Sequence, residues 1–304
     1  MPTFSFLTTD VFTNTRFGGN QLAVFADARG IPEDAMLPIA REFNFSETTF
    51  VLPPSDPRHT RAVRIFTPGG ELQFAGHPTV GTAFALAWLG LVPLRNGETA
   101  IVLEEGVGPV PVSIRSKDGK TPDFATLSVA QLPQTGPQPP AIPLLATALG
   151  LEPGDLLSGE QSPQALSCGT PFLFVPVRDR SVLARCRVRA DAFESAVRGY
   201  WADMVFVFCD DPELPGSTHR ARMFAPSIGV GEDPATGSAC AAFGGYLANR
   251  DPRRDGTLRW VVEQGFEMGR PSIMELQVDK SAGQITGVRV GGNSVLVTRG
   301  ELTL

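Results

Sequence analysis

Two short segments of this chain combine residue types that can hold and polarise a small anion. Gly76-His77-Pro78-Thr79-Val80-Gly81 and Asp233-Pro234-Ala235-Thr236-Gly237-Ser238 each place a proline at a predicted helix start, where its missing N–H and fixed φ suit the first turn. Amides at such a start point outward and favour negative charge, by about 0.3–1 kcal/mol when exposed and about 2 when partly buried. The donors expected are the amides around Thr79 and Val80 in the first segment and around Ala235, Thr236 and Gly237 in the second, with the hydroxyls of Thr236 and Ser238 beside them. Two such termini suit a carboxylate whose α-proton is to be removed. Gly76, Gly81 and Gly237 permit close backbone approach, although helix packing explains the same glycines. His77 and Asp233 fall at the expected N-cap positions. Asp is a good cap for structural reasons alone, whereas His is a poor one. Glu47, at the lip of an apolar run in Phe45-Ser46-Glu47-Thr48-Thr49-Phe50, is a candidate general base. On spacing alone, a solvated surface charge is the commoner role for Glu at a strand end.

The elements that must position these residues occur twice. Glu47-Thr48-Thr49-Phe50-Val51-Leu52, Asp56-Pro57, Arg64-Ile65-Phe66-Thr67-Pro68 and His77-Pro78-Thr79-Val80-Gly81-Thr82-Ala83 recur, in order and at similar separations. The second copy is Asp203-Met204-Val205-Phe206-Val207-Phe208, Asp211-Pro212, Arg222-Met223-Phe224-Ala225-Pro226 and Asp233-Pro234-Ala235-Thr236-Gly237-Ser238-Ala239. Internal repetition of this kind decides architecture before any single motif does. Each copy reads as strand, turn, strand, helix. The helix bodies, Val80 to Leu89 and Gly237 to Leu247, carry almost no charge and must be buried. Short strands around a helix without a polar face predict an α+β fold of two pseudo-symmetric domains, each a curled, mostly antiparallel sheet around a central helix. Gly90 is read as the left-handed residue ending the first helix. A further amphipathic helix, Pro32 to Phe43, is expected to be interrupted by Pro38. The Pro-rich stretch 131–140 reads as an extended linker. The domains expected are therefore 1–130, to which a strand from 286–304 returns, and 131–285.

Composition removes several function classes. A net charge of −6 without a Lys/Arg cluster argues against nucleic acid or an anionic membrane as partner. No apolar run approaches the roughly 20 residues of a membrane helix, and the N-terminus lacks the features of a secretory signal, so a cytoplasmic protein is expected. Cys168, Cys186, Cys209 and Cys240 form no C-x-x-C pair, so neither a metal nor a disulfide framework is expected. Neither a P-loop nor a strand-linked G-x-G-x-x-G is present.

Four motifs together resemble the PhzF-type phenazine biosynthesis proteins, relatives of diaminopimelate epimerase. They are Asp10-Val11-Phe12 with Phe17-Gly18-Gly19-Asn20, Phe45-Ser46-Glu47-Thr48-Thr49-Phe50, Phe74-Ala75-Gly76-His77-Pro78-Thr79-Val80-Gly81, and Glu232-Asp233-Pro234-Ala235-Thr236-Gly237-Ser238-Ala239. The resemblance implies two epimerase-like domains with a substrate cleft between them, a homodimer, and an isomerase that needs no metal, pyridoxal phosphate or other cofactor. It implies Glu47 as the acid/base residue, with His77 and Asp233 completing the site. Asn20, Gly76, Pro78, Thr79, Thr236, Gly237 and Ser238 would bind a small carboxylate resembling dihydro-hydroxyanthranilate. Gln21 stands where many relatives have Pro. Diaminopimelate epimerase inverts a stereocentre with two opposed thiols, and neither helix start here carries one. A single carboxylate favours a proton shift within an allylic system, since one base can remove and return the proton. The alternatives are a two-base amino-acid epimerase or racemase, and a non-catalytic carboxylate-binding protein.

Overall fold

The computed structural model describes residues 1–304, which divide into two units, Met1–Ala130 with Val290–Leu304 and Gln131–Arg289. In the first unit the chain runs β1 (Thr3–Val11), β2 (Asn20–Phe25), α1 (Glu33–Phe43), β3 (Glu47–Leu52), β4 (Arg61–Thr67) and β5 (Gly70–Leu72). It continues with α2 (Gly76–Trp88), β6 (Gly97–Glu105), β7 (Gly108–Ser116) and β8 (Phe124–Ser128), and the final strand β18 (Ser294–Thr303) pairs antiparallel with β1. Neighbouring strands are antiparallel except β2 with β3 and β4 with β6. Those two parallel pairs are joined by α1 and α2, as parallel neighbours need a crossover connection.

The second unit repeats this order. After a short strand β9 (Gln134–Thr135) and α3 (Ile142–Leu149) come β10 (Gln164–Ser167) and β11 (Pro171–Pro176). Then follow α4 (Arg180–Arg185), α5 (Ala190–Val197), β12 (Met204–Cys209), β13 (His219–Ala225) and β14 (Val230–Asp233). The chain goes on through α6 (Gly237–Ala248), β15 (Gly256–Gln264), β16 (Ser272–Ser281) and β17 (Gln284–Gly292). Its parallel pairs are β11 with β12 and β13 with β15, the counterparts of those in the first unit. The fold class is α+β with mostly antiparallel sheets, as the repeat predicts.

Every residue of α2 from Gly76 to Ala87 is buried, and α6 is buried along nearly its whole length. Strands from both ends of the first sheet, β1, β2, β3, β7, β8 and β18, lie against α2, so the sheet curls around a helix that needs no polar face. In the second unit Phe174, Phe206, Phe208 and Phe243 form the aromatic packing against α6, with Phe208 and Phe243 ring centroids 4.5 Å apart. Each sheet has a second core on its other face: α1 packs over Phe25, Phe50 and Phe66, and α3, α4 and α5 over Leu173, Val205 and Val207.

The helix sits against its sheet through small residues. A Cβ on Gly81 would fall 2.6 Å from both Leu22 Cδ2 and Val11 Cγ2, two fully buried side chains. Overpacking of this kind typically costs about 1–3 kcal/mol, more than the ~1 kcal/mol gained by replacing a helical Gly with Ala. Gly81→Ala should therefore lower the urea-unfolding midpoint, whereas an exposed helix glycine changed to Ala would raise it.

Two sequence expectations change in detail, and a third holds. Helix α1 is continuous through Pro38, which lies exposed, so the carbonyl of Asp34 that loses its partner faces water. The stretch 131–140 is not a free linker throughout, since its middle is tied to the second unit: Gln134–Thr135 pairs with β10, the Gly136 amide donates to the Ala165 carbonyl at 2.8 Å, and Pro133 abuts Gly245. Helix α2 ends as expected. Gly90 is left-handed at φ 72°, and the Gly90 and Leu91 amides donate to the carbonyls of Ala87 and Leu86, a Schellman closure.

Candidate active site

In the first unit, β2 and β3 run parallel with Leu22 opposite Glu47. This register places Asn20 and Glu47 at the same end of two adjacent strands. Gly19 makes the entry to β2 possible, because its φ is 61° and a Cβ there would lie 2.3 Å from the Val11 carbonyl oxygen. His77, the second residue of α2, completes the group. Its Nδ1 is 3.2 Å from Asn20 Nδ2 and its Nε2 is 3.3 Å from Glu47 Oε2. Asn20 and His77 are buried, and the Glu47 side chain keeps 14% of its accessibility. Burial pushes the His77 pKa down to about 3, against the opposing pull of the Gln21 carbonyl, so the ring is neutral at physiological pH.

The start of α2 differs from the expectation. Its N-cap is Ala75, and His77 lies inside the first turn with Pro78 third. The Thr79 amide is already engaged with the Ala75 carbonyl at 3.3 Å. The outward amides are therefore those of Gly76 and His77, which have no partner within the helix. Thr79 is buried, and its hydroxyl is 2.7 Å from the Ala75 carbonyl oxygen and 2.6 Å from Glu105 Oε1. Glu105, at the end of β6, was not singled out from the sequence. Burial pushes its carboxyl up to about 8, against the lowering effect of the Thr79 hydroxyl.

In the second unit the matching segment is built differently. β14 extends to Asp233, the chain turns through Pro234 and Ala235, and Thr236 is the N-cap of α6, so Asp233 is not a cap. The Thr236 hydroxyl donates to Asp233 Oδ2 at 2.5 Å. Gln264, at the end of β15, holds this turn. Its Nε2 donates to the Asp233 carbonyl at 2.8 Å and the Thr236 hydroxyl at 3.0 Å, and its Oε1 accepts the Thr236 amide at 3.2 Å. These bonds keep Thr236 out of helical conformation, at φ −113° and ψ 88°, and delay the helix to Gly237. The outward amides are those of Gly237 and the residues after it, with half-buried Ser238 beside them. Within the first unit the structure brings together Asn20, Glu47 and His77, with Gly76, Pro78 and Thr79 on the adjoining turn. Within the second it brings together Asp233, Thr236, Gly237 and Ser238.

Glu105 and Gln264 had a sequence signal. Ile101-Val102-Leu103-Glu104-Glu105-Gly106 and Trp260-Val261-Val262-Glu263-Gln264-Gly265 are two apolar runs ending in Glu, then Glu or Gln, then Gly. They extend the internal repeat one strand further, and the strand register agrees: Ala62 pairs with Glu104 as Arg220 pairs with Glu263.

All four cysteines are buried and unpaired. Burial pushes the thiols of Cys168 and Cys186 up to about 12, that of Cys209 to about 11, and that of Cys240 higher still. None is poised as a thiolate base. No group of three or more His, Cys, Asp or Glu is arranged to hold a metal ion, and no helix is long and apolar enough to cross a membrane.

Two related α+β halves, each a curled sheet on a buried helix, define an epimerase-like architecture. Solved structures agree. A hydroxyproline epimerase from Agrobacterium vitis superposes with a TM-score of 0.66 at 14% identity, over 99% of this chain and 92% of that one, a likeness of fold alone. The chain belongs to the phenazine biosynthesis-like (PhzC-PhzF) protein family, whose model matches residues 9–300, and it is an isomerase. The PhzF-family phenazine biosynthesis protein of Bacillus anthracis has a TM-score of 0.88 and 28% identity, with both chains fully covered. An uncharacterized isomerase of Mesorhizobium japonicum is 41% identical over 99% of both chains. The trans-2,3-dihydro-3-hydroxyanthranilate isomerase of Pseudomonas aeruginosa is 32% identical over 97% of this chain and 98% of the relative.

Proposed function

We propose that the protein moves a proton between carbon atoms of a small cyclic carboxylate, with Glu47 as the group that takes the proton and returns it. The observation that carries this reading is the Glu47–His77–Asn20 line: a carboxylate oxygen 3.3 Å from the ring of a buried, neutral histidine whose other nitrogen is held at 3.2 Å by Asn20. Neutral His77 polarises without adding a full charge. The outward amides of Gly76 and His77 favour the negative charge that develops as a C–H bond breaks. Asp233, Thr236, Gly237 and Ser238 act as a carboxylate-binding turn. Asp233 serves there as a positioning group, because its carboxylate already accepts the Thr236 hydroxyl.

The dihydro-hydroxyanthranilate class of substrate is supported by the Pseudomonas aeruginosa relative. A homodimer working in the cytoplasm belongs to the same reading, on the family resemblance. A two-base epimerase using cysteine is disfavoured, since every thiol is buried with a raised pKa.

The test is proton NMR of the protein with trans-2,3-dihydro-3-hydroxyanthranilate in D₂O. The expected result is enzyme-dependent loss of the substrate's vinylic pattern, with deuterium at the carbon that is reprotonated. An unchanged spectrum, alongside α-carbon exchange with inversion in an amino-acid panel, would replace the isomerase reading with the epimerase one.

A further inference from the structure

The Thr79 hydroxyl has one proton and two close oxygen neighbours, the Ala75 carbonyl at 2.7 Å and Glu105 Oε1 at 2.6 Å. A carbonyl oxygen only accepts, and so does a carboxylate. If Glu105 were ionised, the hydroxyl could satisfy only one of them and would face the other lone pair to lone pair. Both short contacts are satisfied when Glu105 carries a proton: its O–H donates to Thr79 Oγ1, and Thr79 donates to Ala75. The remaining carboxyl oxygen, Oε2, is buried without a hydrogen-bond partner, a modest cost for a neutral carbonyl and a large one for half of a carboxylate.

The second unit supplies an internal control. Gln264 stands at the equivalent strand position, and there an amide Nε2 donates to a threonine hydroxyl, that of Thr236, at 3.0 Å. An amide is a permanent donor, and a carboxyl is a donor only while protonated.

We infer that Glu105 is a positioning residue that works as a neutral acid, holding through Thr79 and the Ala75 carbonyl the helix turn that carries Gly76 and His77. Ionising Glu105 draws the Thr79 proton away from Ala75 and places a charge under the turn. No neighbouring charge offsets it. On α2 the single titratable group is neutral His77, and β8 carries none. Arg115 on β7 is paired with Asp123, and Arg64 on β4 with Glu71. Arg61 donates to the Thr60 carbonyl. On β6 itself, Glu98 accepts from Ser113, and Glu104 faces Ser55, Asp56 and His59. Burial with no compensating cation is why the Glu105 carboxyl titrates near 8 in place of its usual 4.5.

The functional part of this inference rests on the proposed role of His77, so the experiment has two arms. In the first, thermal unfolding of wild type and Glu105→Gln is followed from pH 4 to pH 9 without substrate. A raised carboxyl pKa contributes stability that is complete below about 4.5 and is lost as pH rises through about 8. His77 acts in the opposite sense as pH falls below 6.5, so wild type and variant are compared at each pH. The folding constant of the wild type should fall relative to Glu105→Gln by up to about tenfold per pH unit across that window, then level off. A difference constant with pH, or one favouring the wild type as pH rises, would overturn the inference.

In the second arm, turnover of trans-2,3-dihydro-3-hydroxyanthranilate is measured from pH 6 to pH 9.5. Wild-type kcat should fall above about pH 8, Glu105→Gln should lose that alkaline limb, and Glu105→Leu should be impaired at every pH. An alkaline limb kept in Glu105→Gln would reduce Glu105 to a structural residue. If no form turns the compound over while the stability arm behaves as expected, the substrate reading fails and the protonation of Glu105 stands.

Discussion

Glu47→Gln should reduce kcat by about 10²–10⁴, the usual contribution of a positioned general base, with KM changed far less. The amide keeps the side chain's shape and its place 3.3 Å from His77 Nε2, so substrate still binds. It cannot accept and return a proton at carbon, and solvent deuterium should therefore disappear from the product in step with the rate. Asn20→Ala gives a useful contrast, because it leaves the base in place and frees the far side of the His77 ring, 3.2 Å away. A rate loss in Glu47→Gln without a matching loss of deuterium incorporation would assign the proton transfer to another group.

The parts of the fold that were legible in the sequence are those governed by local pattern. Apolar, β-branched and aromatic runs gave β3, β4, β12 and β13 within a few residues, and the two charge-free helices announced their own burial. The errors lie where a distant side chain sets a local conformation. His77 and Asp233 were placed at matching N-caps because each precedes a proline, yet α2 begins at Gly76 and α6 at Gly237. That offset is imposed from the strand that follows each helix. Gln264 holds Thr236 in a non-helical conformation, 28 residues away, while Glu105 holds Thr79 within the helix, 26 residues away. A window on the sequence around Pro78 or Pro234 contains neither partner.

The same distance hides the glutamates one residue earlier. Glu104 accepts the amides of Ser55 and Asp56, which with His59 hold its carboxyl down to about 2. Glu263 accepts those of Glu213 and Leu214 at 2.8 and 2.6 Å. These bonds tie down the Asp56-Pro57 and Asp211-Pro212 turns that the repeat had already matched. In each half, one strand end thus secures both a turn and a helix start, through two consecutive residues pointing to opposite faces.

Arg222→Met should destabilise the protein by about 3–5 kcal/mol, the cost of removing one member of a buried ion pair, and Arg64→Met by about 0–1. The two arginines are repeat partners in the Arg-x-Phe-x-Pro strands. Each grips a glutamate with two nitrogens, Glu232 at 2.8 and 2.8 Å and Glu71 at 2.7 and 2.8 Å, and each lies over the phenylalanine two residues on. Their surroundings decide the difference. The Arg64 side chain keeps 27% of its accessibility and its pair is solvated, so most of the attraction is screened. Arg222 keeps 5% and also donates through Nη1 to the carbonyls of Leu183 and Cys186, both at 3.0 Å, at the end of α4. Removing it strands a largely buried carboxylate and two helix-terminal carbonyls together, which truncating Arg64 does not do. Urea unfolding of the two variants measures the contrast in one fold. Equal losses would mean that burial is not what separates the two arginines.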